Sequence, residues 1–419
     1  MKLLKNKFLL LFFFFGILIR LIFAFLTAHP DLWALFISQN LFVFKGVLNI
    51  YDHLANLPNY DLIAKNYGTN FFTYPPLTYY LLGFFGFIFK PFLSYKNYEW
   101  ILENYPNIYG SVKIMTTVLM FKIPYLLFDL GIAFLLTDFF TDFKKKKMSF
   151  ILWLANPLAI YTSFMIGQFD IMPVFFVMLA LWFIMKKNSL NWGAICLGIG
   201  GGLKMFPLFF LPFAVILGKN IKEKLKVGIL GILPYLITIS PFLFSSAFRT
   251  VCLFSRQSQK MLHMTLPVSG AENIYIFVFL FFFLFLYASY RKIYPSDLWR
   301  YFLIVLLLFF SATHYHPQWF LWLTPFLALE LIESNFKQIW LVLVILGGWL
   351  FITLTFEPSL SYGLFVPIFP ELPKTSSLTI LLSRWFDVFQ LRSLVRSIFA
   401  GTAFFYGLSV WRDLRDKKE

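Results

Sequence analysis

"KFLLLFFFFGILIRLIFAFLTAHPD", residues 7–31, decides the fold class. Between Phe8 and Thr27 its only charge is Arg20, and about twenty such residues are what a helix needs to cross a bilayer core. Lys2, Lys5 and Lys7 precede it, but the run is longer than a usual signal-peptide core. It therefore reads as an uncleaved first span with a cytoplasmic N-terminus. Arg20 is expected to snorkel towards the outer interface. The same texture continues through the 419 residues: 59% are hydrophobic, 13% are charged, and mean hydropathy is +0.74. A soluble domain carries roughly 25% charged residues, so this chain reads as an integral membrane protein. Its apolar runs are continuous rather than alternating, which selects helices over a barrel.

The net charge of +16 does not point to nucleic acid. Basic residues fall in clusters between apolar runs: 144–147, 186–187, 219–226, 291–292 and 412–418. Such clusters belong on the cytoplasmic side of a membrane. Cys196 and Cys252 suggest neither a disulfide framework nor a metal site.

Placing every basic cluster inside gives about twelve spans with both termini cytoplasmic. They cover 8–27, 113–138, 148–166, 171–186, 190–203, 204–218, 226–245, 272–290, 298–313, 318–332, 338–356 and 392–411. The fold class is all-α: a single polytopic bundle over 1–419, with a first outer loop over 28–112 and the remaining bundle over 113–411. The apolar stretch 74–91 would put "KKKK" outside if it crossed, so it is expected to lie in the outer interface. A second interfacial helix should follow Asp31. Asp31, Ser38 and Lys45, spaced by seven, lie about 20° apart on a helix and would make a narrow polar stripe.

On this topology the outer side collects the chemistry. Asp31, Gln168, Asp170 and Lys204 sit at helix junctions there, as do His314 and His316. Arg249, Arg256, Lys260 and His263 lie in the outer loop 246–271. No His/Cys group has metal-ligand spacing, and no phosphate-binding Gly-Lys-Ser/Thr motif is present. An outward-facing enzyme cannot draw on cytoplasmic nucleotide sugars. A lipid-linked phosphate would suit it, with the tail between helices and the phosphate at the interface.

Six motifs then follow in order: "HPDLWALFISQN" (29–40), "YPPLTYY" (74–80), "LLFDLGIAF" (126–134), "NPLAIYTSFMIGQFD" (156–170), "LKMFPLFFLPF" (203–213) and "HYHPQWFLWLTPFLAL" (314–329). This series resembles the C-type (GT-C) glycosyltransferase superfamily, nearest to the bacterial polyprenol-phosphate-mannose-dependent α-mannosyltransferases. The resemblance spans residues 8 to about 333. It implies a polyprenyl-phosphate sugar donor, a glycolipid, glycan or protein acceptor, and no cofactor or metal. It also implies a site on the outer face of the bacterial cytoplasmic membrane. The first-loop acid, here Asp31, would be the general base. The family often has two acids there; this chain has one, with Asp52 and Asp61 further on.

A simpler role for Asp31 is to cap the helix it begins. Lys204, Arg256, His316, Arg249 and His314 are the expected donor-phosphate contacts. A lysine at membrane depth is costly enough to be a functional candidate, although Lys204 could also snorkel. Gln168, Asp170, Tyr74 and Asp52 are candidate substrate contacts or structural polar groups. Asp129, in mid-span, reads as structural. The competing function is a non-enzymatic lipid or glycan transporter, which should carry inverted repeats; none is evident. A purely structural membrane protein would leave Lys204 and Asp31 unexplained.

Overall fold

The computed structural model describes residues 5–255 and 258–416. Arg256 lies outside them. Helix follows helix: α1 (Lys7–Leu26), α2 (Pro30–Lys45), α3 (Ile50–Ala55), α4 (Leu62–Tyr67), α5 (Pro76–Ile88), α6 (Tyr95–Asn104), α7 (Val112–Asp138) and α8 (Phe143–Leu154). Next come α9 (Pro157–Ala159), α10 (Ile171–Lys186), α11 (Leu190–Leu203), α12 (Leu211–Ile216), α13 (Ile221–Ile239) and α14 (Ser246–Phe248). The series closes with α15 (Ile276–Tyr290), α16 (Leu298–Ala312), α17 (Thr324–Glu333), α18 (Ile339–Phe356), α19 (Leu378–Leu382) and α20 (Val388–Asp416).

Among the described residues, 7 helical stretches are long and apolar enough to cross a membrane: Lys7–Leu26, Val112–Asp138, Phe143–Ile166, Ile221–Phe242, Pro295–Ala312, Ile339–Phe356 and Val388–Leu414. Shorter apolar helices lie at Pro76–Ile88, Ile171–Lys186, Leu190–Leu203, Phe206–Ile216 and Ile276–Tyr290. The chain is thus an all-helical protein with multiple apolar helices. One hairpin departs from that: β1 (Thr265–Ser269) pairs antiparallel with β2 (Glu272–Tyr275). The segment expected as a helix from 272 starts as a strand, and α15 begins at Ile276.

The 28–112 region is more structured than its sequence suggests. Besides α2 and α5 it holds α3, α4 and α6, begun by the side chains of Asn49, Asp61 and Ser94, which accept from backbone N–H groups. At six residues each, α3 and α4 are too short to leave a strong apolar period, whereas α6 buries Tyr98, Ile101 and Leu102 at helical spacing. The polar stripe of α2 is open only at its ends: Asp31 and Lys45 reach the surface, whereas Ser38 is buried. Gln39 and Asn40 beside it are buried too, and Gln39 Nε2 donates to the Leu82 carbonyl of α5 at 2.9 Å. Gly83 and Gly86 of α5 allow this contact: a Cβ on either would lie within 2.5 Å of Phe42 or Gln39.

Arg20 does not snorkel. Its side chain is fully buried, and its Nε donates to Asp129 Oδ2 at 2.5 Å. Its Nη1 donates to the carbonyls of Leu154 and Gly16 at 2.8 and 3.1 Å, and Trp153 Nε1 donates to Asp129 Oδ1 at 3.0 Å. Asp129 is structural, as its mid-span position suggests, and it joins α1, α7 and α8.

Breaking a buried ion pair from one side leaves an uncompensated charge and costs about 3–5 kcal/mol, whereas replacing both partners with apolar residues is far milder. Asp129→Leu should therefore lower the unfolding midpoint in detergent sharply. Asp129→Leu with Arg20→Leu should recover most of that loss, measured by denaturant titration; equal loss in the single and double variants would argue against the pair.

Candidate active site

The site starts where α1 ends. Lys122, fully buried in α7, directs its ammonium at the backbone there, donating to the carbonyls of Thr27 at 2.6 Å, Phe164 at 2.8 Å and Met165 at 3.1 Å. Phe164 and Met165 belong to a π-helical turn, Ile160–Ile166, whose wide pitch leaves those carbonyls free to accept. The turn ends at Gly167, with φ +87°, where a Cβ would also lie 2.4 Å from Leu32 Cδ1. Only glycine fits that conformation and space. Gln168 follows directly and faces α2.

Asp31 is not the cap of α2. That cap is His29, whose Nδ1 accepts from the Asp31 N–H at 3.1 Å. Freed of that duty, the Asp31 carboxylate is 47% exposed, and its Oδ2 accepts from Gln168 Nε2 at 3.2 Å. Gln168 Nε2 also lies 3.5 Å from the Tyr74 hydroxyl. Burial, then Asp31, pushes the Tyr74 phenol up, so it stays a neutral hydroxyl. Because His29 Nδ1 accepts, the proton of the neutral ring sits on Nε2, which points towards Glu357 Oε1 at 3.8 Å. The nearby His29 ring holds the Glu357 carboxyl below its ordinary range.

Opposite this acid lies Lys204, in the turn after α11. Its Nζ is 2.7 Å from Asp170 Oδ1, which also accepts from Trp322 Nε1 at 2.6 Å. Lys204 therefore does not snorkel, and Asp170 serves as a structural polar group that ties the turn after α11 to Trp322. The rings of Trp319, Trp322 and Phe169 surround the ammonium at 5.2–5.5 Å, within cation–π range. Trp322 in turn stacks on Phe206 at 4.2 Å. Lys260 Nζ contacts His316 Nε2. Burial pushes the Lys260 ammonium down to about 8. Burial, then Lys260 and His314, pushes the His316 imidazole down to about 3, so it is a neutral acceptor for Lys260 at neutral pH.

These groups line one cavity of ≈ 230 Å³. It brings together Asp31, Tyr74, Gln168, Lys204, Lys260 and His316, over an apolar wall that includes Phe206, Phe209, Phe309 and the two tryptophans. Asp31 is the one carboxylate among its lining residues. Asp170 stands directly behind, through Lys204. Other sequence candidates fall elsewhere. Arg249 donates to the Leu243 carbonyl at 2.7 Å, away from the cavity. Asp52 accepts from Ser245 Oγ at 2.5 Å and from Asn49 Nδ2 at 2.7 Å, tying α3 to α14. Asp61 caps α4. His314 faces a different cleft. The chain matches no family model, no curated protein and no solved structure.

Sequence reasoning missed Lys122, His29, Glu357 and the two tryptophans as parts of this arrangement. Lys122 was within reach, because the cost of a lysine at membrane depth singles it out as firmly as Lys204. His29–Glu357 joins residues far apart in the chain and leaves no local signal.

The Lys260 value carries a chemical consequence. A lysine lowered to about 8 becomes neutral and nucleophilic as pH rises through 8, well before an ordinary lysine near 10.4. In competitive acetylation followed by peptide mass spectrometry, Lys260 modification should show a midpoint near pH 8. A midpoint with that of surface lysines such as Lys65 would contradict the burial described here.

Proposed function

We propose that the chain is a C-type glycosyltransferase that moves a hexose, mannose favoured, from a polyprenyl-phosphate donor to an acceptor hydroxyl at the outer face of a bacterial cytoplasmic membrane. One observation carries this reading: a single exposed carboxylate, Asp31, shares a cavity with two ammonium groups, Lys204 and Lys260. That is the charge distribution such a transfer needs. Asp31 accepts the proton as the acceptor oxygen attacks C1 of the sugar. The bond from C1 to the phosphate oxygen breaks with its electrons left on the phosphate. Lys204 and Lys260 stabilise the charge that grows there. The products are the inverted glycoside and polyprenyl phosphate, with the proton on Asp31 until solvent takes it. Gln168 holds the carboxylate in place by one hydrogen bond. The aromatic wall suits an isoprenoid chain or a sugar face.

The same reading includes about twelve crossings, made when Ile171–Lys186, Leu190–Leu203, Phe206–Ile216, Ile276–Tyr290 and the 317–333 segment join the seven long stretches, with α5 lying in the outer interface. A 14-residue helix such as α11 spans about 21 Å, less than the roughly 30 Å apolar core. Its C-terminal turn ends at the cavity, which would occupy the missing depth and lead a lipid donor in from the side.

The decisive variant is Asp31→Asn. Since His29 supplies the cap and Asn retains an acceptor for Gln168, the variant should melt with the wild type and bind donor. Transfer from polyprenyl-phosphate mannose to an acceptor should fall by at least about a hundredfold, the lower bound expected for losing a general base. A folded Asp31→Asn enzyme with unchanged turnover would defeat the assignment.

Sidedness has its own test. Tyr60 is 86% exposed in the 28–112 region, while Cys196 and Cys252 are buried. A Tyr60→Cys variant should react with an impermeant thiol reagent applied outside intact cells. Reaction only after cell rupture would turn the cavity to the cytoplasm.

A further inference from the structure

The segment Thr313–His316 separates two clefts. His316 lines the cavity already described, while His314, its ring 6.0 Å from that of His316, lines another of ≈ 470 Å³. This second cleft forms where α16 and α18 end and α20 begins. Arg392 and Arg396, one turn apart on α20, face it together with His263 and His314, and none of its lining residues is acidic. An apolar groove of ≈ 510 Å³ continues from it, sharing Met264, Ser311 and Ala312. The groove runs between the start of α15 and the face of α20 that carries Gly401 and Phe404. Arg396 and Phe404 are eight residues apart, about 12 Å along the helix.

We propose that this cleft and groove bind a membrane lipid with a phosphate headgroup, the phosphate against Arg392 and Arg396 and a hydrocarbon chain along α20. Charge complementarity is the first argument: two arginines converge beside two histidine rings, with no acid among the lining residues. The second is an unmet hydrogen bond. Arg392 uses Nη2 on the Thr355 carbonyl, and Arg396 uses Nη2 on the Thr313 carbonyl, so both brace helix ends. A guanidinium has five donor hydrogens, and Arg392 Nε is buried without an acceptor in the protein. Arginine's planar fork suits phosphate, and the donors that Arg392 and Arg396 do not use on carbonyls are the ones it offers a headgroup. The third is continuity. A free anion needs no apolar channel, whereas a lipid needs both parts in this order, with the exposed rings of Phe279 and Phe404 beside its chain. Burial, then Lys260, Arg396 and His263, holds the His314 imidazole down to about 4.

The site does not depend on transfer in the first cavity, because it is read by binding alone. The probe is phosphatidic acid with a fluorescent acyl chain, titrated into the full chain in dodecyl-maltoside micelles. The matching fluorescent diacylglycerol is the uncharged control, and inorganic phosphate is the competitor. Phosphatidic acid should bind at least tenfold more tightly than diacylglycerol. The double variant Arg392→Gln, Arg396→Gln should erase that difference. Gly401→Leu fills the groove and leaves both arginines in place; a Cβ there meets nothing within 4 Å, so the fold should tolerate it. It should weaken phosphatidic acid at least tenfold with the melting temperature held. If the double variant fails to fold, Gly401→Leu still decides. Unchanged binding in Gly401→Leu overturns the lipid groove. Competition by inorganic phosphate as strong as that of unlabelled phosphatidic acid assigns the cleft to free anions and overturns the proposal as well.

Discussion

Lys122 sets the geometry on which the rest depends. In a region without water, every free carbonyl needs a donor from the protein itself. The end of α1 and the π-helical turn after α9 each leave carbonyls without helical partners, and the Lys122 ammonium gathers them from 2.6 Å outwards. That clamp fixes the exit of α1, so it fixes the start of α2 and with it Asp31. It fixes the end of the π turn as well, and so places Gln168. The two residues that hydrogen-bond across the cavity are thus held by one buried cation that touches neither. Its stem leaves so little room that a Cβ on Gly167 would lie 2.8 Å from Lys122 Cε.

Three buried cations illustrate three answers to the same cost. Arg20 is neutralised by Asp129 and fully wrapped in carbonyls. Lys122 has no carboxylate and relies on carbonyl dipoles alone. Lys204 is paired with Asp170 and ringed by aromatics, yet its side chain keeps 13% exposure, on the cavity side. The first two have spent their donors inside the protein. Lys204 has one strong partner and soft aromatic neighbours, which leaves donor capacity towards the cavity. Depth alone therefore does not separate a structural cation from a candidate ligand; the number and strength of its internal partners does.

Much of the helical layout was legible, because long apolar runs bounded by basic clusters have few alternatives in water or lipid. The 28–112 region was less so, since α3 and α4 are short and held by capping and tertiary contact rather than by period. At the site, Asp31, Gln168, Lys204, Tyr74 and His316 share a cavity, and all of them sit at or beside helix ends that the apolar pattern marks. Arg249 and Asp52 were drawn in by residue type alone, and the structure gives each a local partner instead. The sequence shows that an acid is present at the loop start but not which residue caps the helix behind it. His29 and Asp31 both have side chains able to accept from a backbone N–H, and only the fold decides between them.

That choice matters for chemistry. A carboxylate that caps a helix spends lone pairs on backbone N–H groups, and each such bond stabilises the ionised form and weakens it as a base. By taking the cap, His29 leaves Asp31 with one neutral donor, Gln168, and solvent access. The neutral ring then holds its remaining proton towards Glu357, 3.8 Å away. His29 therefore sits between two carboxylates, with its acceptor nitrogen 3.6 Å from Asp31 and its proton turned from it. The one lone pair of that acceptor nitrogen is engaged by the Asp31 N–H, so the ring braces the start of α2 and leaves the carboxylate to Gln168 and solvent. The histidine next to the acid thus acts on it through the backbone, by taking the cap.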